Sequence, residues 1–114
     1  MLPKDNRLKK RAAFAATYRT GKSFHSDGIT VFIGKEKSND LPTKIGFVVS
    51  KKIHKRAIRR NRMKRLMREG CRLLIRNNSI NNRYMSLIFV ASSKLLDKDF
   101  NYIYAALTKL TEKL

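Results

Sequence analysis

Residues 51–72 read KKIHKRAIRRNRMKRLMREGCR. Eleven of these 22 residues are Lys or Arg, and only Glu69 is acidic. A disordered tail, a targeting signal and one face of a folded helix share such a composition but differ in periodicity. At 100° per residue from Asn61 onward, Met63, Leu66, Met67, Gly70, Leu73 and Leu74 fall in one sector. Lys64, Arg65, Arg68, Arg72 and Arg76 fall with Asn61 in the opposite one. The row Lys52, Arg56, Arg60, Lys64, Arg68, Arg72, Arg76 is basic at every fourth position and drifts around the axis as a ridge. A tail needs no apolar sector, and a localisation signal needs only a short basic cluster. The run therefore reads as a core-docked helix from 56 to about 76 with an exposed cationic face. Its first turn fits less well, with Arg59 on the apolar side and Ile58 on the basic side, which fixes the start only to within one or two residues.

The flanks of that helix set the fold. KIGFVVS (44–50) and YMSLIFVAS (84–92) read as strands on either side of it, and NNSINN (77–82) ends the helix. The result is a strand–helix–strand unit, whose crossover is by general rule right-handed. Upstream, GITVFIG (28–34) is a further strand, followed by the polar connection KEKSNDLPT (35–43). KRAAFAATYRT (10–20) is a short Ala-rich helix stopped by Gly21, with Phe14 and Tyr18 on one face. At the other end, Asp97 is the expected N-cap and Asp99 a first-turn acid of a last helix. Phe100, Ile103, Leu107, Leu110 and Leu114 form the apolar stripe of that helix. Helix, strands, helix, strand, helix gives an α+β fold, an α/β sandwich with a mixed sheet, expected to span 1–114 as one domain.

The formal net charge is +19, from 27 basic and 8 acidic residues, while 42% of the chain is hydrophobic. A core is thus available, and the self-repulsion of the folded chain points to a polyanionic partner. Glu69 is the only acid between Asp40 and Asp97, so pairing within the long helix cannot neutralise it. Cys71 has no partner for an internal disulfide, there is no signal-like apolar run at the start, and no segment approaches the ~20 apolar residues of a membrane span. A soluble, cytoplasmic protein is expected. A stand-alone nuclease would need paired carboxylates or an acid–base pair. The acids here are scattered, His25 and His54 are isolated, and Cys71 sits at the edge of the apolar sector as a core residue. A membrane-surface helix would need aromatic anchors that the apolar sector lacks.

RAIRRNRMKRLMRE (56–69) resembles the signature of the protein subunit of bacterial ribonuclease P, R-A-x-x-R-N-x-x-K-R-x-x-R-E. Arg56, Ala57, Arg60, Asn61, Lys64, Arg65, Arg68 and Glu69 occupy its named positions. KIGFVVSKK (44–52) resembles the strand leading into it, and Leu8, Phe14, Tyr18 and Gly21 resemble the family's opening motif. The chain departs from the pattern at Ala13, where many members carry an acid, and at Gly70–Cys71, where Phe often stands at the second position.

The resemblance implies a fold like the second domain of a small-subunit ribosomal protein, ordered helix, three strands, helix, strand, helix, with a left-handed crossover in place of the usual hand. It implies partnership with ribonuclease P RNA and with precursor tRNA, whose 5′ leader the holoenzyme removes. The RNA would carry the chemistry with Mg2+, and the protein would hold no catalytic or metal-ligating residue, need no obligate protein partner and touch no membrane. Arg56, Arg60, Asn61, Arg62, Lys64, Arg65, Arg68 and Arg72 would face the catalytic RNA. Phe14, Tyr18, Phe32 and Lys52 would hold the leader. The bland alternative for Phe14 and Tyr18 is packing of the first helix on the sheet. A ribosomal-type RNA-binding protein would share charge and fold without needing the 56–69 signature.

Overall fold

A computed structural model describes residues 2–39, 41–52, 55–80 and 82–114. Among them the elements run α1 (Arg11–Arg19), β1 (Lys22–Ser26), β2 (Ile29–Ile33), β3 (Lys44–Val48), α2 (Ala57–Arg76), β4 (Ser86–Ala91) and α3 (Phe100–Glu112). The four strands form one mixed sheet in the order β1-β2-β4-β3. The first two pairings are antiparallel, and β3 lies parallel to β4 with α2 as the connection.

Residue patterning alone did not expect β1, although three strands before the long helix were implied by the family resemblance. KSFHS is polar and mostly exposed, so it carries no apolar alternation. The signal lies instead in Asp27-Gly28 between the two strands. Both residues have left-handed backbone, φ 50° and 93°, the conformation that a two-residue hairpin turn requires. Lys109 Nζ of α3 donates to the Asp27 carboxylate at 3.0 Å and ties this turn down.

Strand register sorts the sheet into two faces. The cross-strand rows Ile33–Leu87–Ile45 and Val31–Phe89–Phe47 point to one side. There they form a single buried cluster with Met63, Met67, Cys71 and Leu74 of α2 and Ile103, Leu107 and Leu110 of α3. Cys71 is fully buried, and burial pushes its thiol up, so it is a core residue. The rows Phe32–Ile88–Gly46 and Thr30–Val90–Val48 point to the other side, which α1 crosses. The molecule is thus layered as α1, sheet, α2 with α3.

Local signals explain the long helix. Arg56 caps it, within one residue of the expected start. It ends at Asn77, with Asn78 left-handed at φ 58° and Ser79 N–H returning to the Leu74 carbonyl at 2.8 Å. Gly70, which costs a helix about 1 kcal/mol relative to Ala, is explained by packing. A Cβ there would stand 2.7 Å from Leu107 Cδ1, so the bare backbone lets α2 and α3 approach. One expectation is corrected. Asp99, not Asp97, is the N-cap of α3, its Oδ1 accepting from Tyr102 N–H at 2.9 Å. Asp97 lies outside the helix and pairs with Arg59 at 3.5 Å.

Candidate RNA interface

On α2, the helical repeat sets Asn61, Lys64, Arg65, Arg68, Arg72 and Arg76 within one sector, away from buried Met63, Met67 and Leu74. Lys64, Arg65, Arg68 and Arg76 make no ion pair among the described residues. Glu69, the signature acid, binds Arg72 through Nε at 3.2 Å and Nη2 at 2.5 Å. That hydrogen bond holds the Glu69 carboxyl below its usual range. The acid therefore orients Arg72 on the ridge.

The first turn shows why Ile58 and Arg59 broke the pattern. Arg59 turns toward Asp97 beside α3, and Ile58 stands on the cationic side, 83% exposed. Arg62, expected on the RNA face, is half-buried, and its Nη1 and Nη2 donate to the Lys98 carbonyl at 3.4 and 3.3 Å, on the α3 side. Arg60 is half-buried, its Nη1 donating to the Lys55 carbonyl at 3.0 Å, and Arg56 is exposed at the cap.

The aromatic residues come together on the opposite side of the sheet. Thr17 Oγ1 of α1 lies 2.5 Å from Ser86 Oγ of β4, and Thr20 Oγ1 donates to the Ile33 carbonyl at 2.5 Å. These bonds fix α1 across the sheet. Tyr18 then meets Phe32 edge to face, ring centroids 4.9 Å apart. Phe14 rests on Gly46, where a Cβ would come within 2.6 Å of the ring. Tyr18 keeps 40% of its surface exposed, and its partial burial raises the phenol, which stays neutral. Phe14 packs α1 on β3, while the Tyr18–Phe32 pair leaves an accessible edge. Thr30, Ile88, Val90 and Val48 continue the floor, and His25 Nδ1 lies 2.8 Å from Thr30 Oγ1 at its rim. The sequence reading missed these floor residues, whose grouping depends on strand register. Lys52 is exposed in the turn after β3, and His54 lies outside the described residues.

The cleft and the ridge are contiguous. β3 is an edge strand, and a cavity of about 330 Å3 wraps it, lined by Phe14 and Gly46 on one side and Lys64 and Arg68 on the other. A chain leaving the aromatic cleft around this edge meets cations at once. No group of three or more His, Cys, Asp or Glu converges to hold a metal among the described residues. The donor set of the ridge is cationic and does not fit a protein-held Mg2+. No helix among the described residues is long and apolar enough to cross a membrane.

Comparison with known proteins bears on this arrangement. Residues 2–114 match the family model described as Ribonuclease P. The ribonuclease P protein component of Clostridium botulinum strain Langeland is 36% identical over 110 residues, spanning 96% of this chain and 95% of that one. Its counterpart in Clostridium novyi is 33% identical over 112 residues, spanning 98% and 96%. The solved RNase P protein of Staphylococcus aureus superposes with a TM-score of 0.79 at 27% identity, covering 96% of this chain and 95% of that one. That of Thermotoga maritima gives 0.78 at 26%, covering 95% and 96%.

Proposed function

The chain belongs to the ribonuclease P protein family, and from that premise we propose that it binds the catalytic RNA of ribonuclease P through the α2 ridge and the 5′ leader of precursor tRNA through the α1–sheet cleft. The observation that supports this most is the cavity joining Phe14 to Lys64 and Arg68 around β3. A single strand lying there places its bases on apolar and aromatic surface and its phosphates against cations. Lys and Arg neutralise phosphates without regard to sequence. Aromatic faces accept any unstacked base, at roughly 1–3 kcal/mol each. Both suit an assembly that processes many tRNA precursors with unrelated leaders.

In this reading the RNA supplies catalysis and would hold the Mg2+. The protein's own work is to screen RNA–RNA repulsion and orient the leader. The test is reconstitution. Mixed with a bacterial ribonuclease P RNA at low magnesium, the protein should restore 5′ cleavage of precursor tRNA, and alone it should cleave nothing. Failure to restore cleavage, or selective recovery of ribosomal RNA with the protein from cells, would replace this reading with that of a ribosomal-type binder.

Tyr18→Ala separates leader contact from packing. Tyr18 is well exposed and lies beside Phe32, so its truncation removes base-accepting surface at little cost to the core. Affinity of the holoenzyme for leader-bearing precursor should fall about 5- to 100-fold, the worth of one base contact, while mature tRNA binds as before. Equal losses for both would return Tyr18 to a packing role.

A further inference from the structure

We propose a second single-stranded RNA site on the other side of α1, in a groove that meets the cavity around β3 only along Arg7, Leu8 and Lys9. Two hollows of about 280 and 450 Å3 share Leu8, Ala13 and Lys44, and so form two lobes of one groove. Ala13, Ala16 and Thr17 line the inner lobe from α1, and Gly34, Met85 and Ser86 line it from the sheet. By helical geometry Ala13 and Ala16 lie at least 100° around α1 from Phe14 and Tyr18, and Thr17, against the sheet, divides the two sides. The outer lobe opens between the start of α1 and the N-terminal segment, where Lys4, Arg7, Lys9 and Lys10 stand around it.

The walls are built rather than loose. Asn6 Nδ2 donates to the Thr43 carbonyl at 2.9 Å, and Leu8 N–H donates to the Ile45 carbonyl at 2.9 Å. Together they seat the N-terminal segment along β3. Thr17 and Ser86 join α1 to β4 at the back of the inner lobe.

Charge and chemistry choose the occupant. Lys44, shared by both lobes, and Lys35 of the inner lobe join Lys4, Arg7, Lys9 and Lys10, and Asp5 is the one acid lining either lobe. The floor between these cations is carbon: Leu8, Ala13, Ala16 and Met85. A cationic rim over an apolar floor takes an anionic ligand with an apolar flat face, which describes one unstacked nucleotide. Met85 is 54% exposed, and its thioether makes a favourable partner for an aromatic ring. An acidic peptide suits the rim but would desolvate its backbone on a floor with few polar groups.

The test uses the intact, isotope-labelled protein titrated with a short oligouridylate and followed by amide chemical shifts. Two sets of residues should respond with separate affinities: Ala13, Ala16 and Met85 in the groove, and Tyr18, Phe32 and Val90 in the cleft. Ala16→Glu, at an exposed helix position, should weaken the groove set at least about tenfold, the scale of one base contact, and leave the cleft set unchanged. Lys35→Glu should do the same from the opposite wall. Shifts confined to the cleft set would overturn the proposal. So would groove shifts reproduced by inorganic phosphate or by a polyglutamate peptide, which would show charge alone or a peptide ligand. Because none of these residues belongs to the α2 ridge, failure here leaves the reconstitution result standing, and the converse also holds.

Discussion

Replacing Lys64, Arg65 and Arg68 together by alanine should weaken association with ribonuclease P RNA about 100- to 500-fold at 0.1 M salt while raising the melting temperature of the free protein. Each lost phosphate contact removes roughly 0.7–0.9 from the slope of log affinity against log salt, so three remove about 2.1–2.7, and the affinity loss at 0.1 M is the antilogarithm. The opposite sign for stability follows from the helix surface. Arg60–Lys64, Lys64–Arg68 and Arg68–Arg72 are like-charge pairs four residues apart. Each destabilises a helix by about 0.2–0.5 kcal/mol, and alanine is the better helix former. The isolated protein should therefore gain roughly 0.5–1.5 kcal/mol at low salt. Salt-dependent binding and thermal unfolding by circular dichroism measure the two effects on one sample. Parallel losses in binding and stability would mean that these side chains support the fold rather than a partner.

The same contrast explains what could be read from the chain. α2 was legible because its two faces have opposite chemistry at a single period, and its apolar sector is the surface that became buried. α3 was legible for the same reason, and only its cap was misassigned. Asp97 and Asp99 are both good caps in isolation; Asp99 takes the role, and Asp97, outside the helix, pairs with Arg59. β1 was not legible by alternation because its side chains are mostly exposed, yet the Asp27-Gly28 pair marks the hairpin and could have located it. Arg62 lies 100° from Asn61 and 20° from Leu73, at the flank of the cationic sector, so its phase set it apart, although its bonds to the Lys98 carbonyl are tertiary. Gly70 read only as a departure from the family pattern because its role, the close passage of Leu107, is tertiary. The joining of cleft to ridge was likewise invisible. It rests on β3 being an edge strand, and strand order is not written in local periodicity.

Phe89→Ala should have the largest effect on the fold, a loss of about 3–5 kcal/mol. Phe89 is fully buried in β4, between β2 and β3, opposite Val31 and Phe47, whose ring it stacks on at 6.0 Å between centroids. Total stabilities of small domains are roughly 5–15 kcal/mol, so the loss is a large fraction of the total. The site would go with it, since Ile88 and Val90 on the same strand floor the cleft. Binding offers a way back. A partner that binds only the folded chain contributes about 2.7 kcal/mol at a hundred times its dissociation constant, so saturating ribonuclease P RNA should recover a large part of the loss. Salt acts on the two equilibria in opposite directions. With a net charge of +19, the free variant should be stabilised by added salt through screening of self-repulsion. RNA-dependent rescue should instead fade as salt rises. Thermal unfolding of Phe89→Ala with and without RNA, at low and high salt, reads all four conditions. A loss under about 1 kcal/mol without RNA would remove Phe89 from the centre of the core, and rescue independent of salt would remove the phosphate contacts from the account of binding.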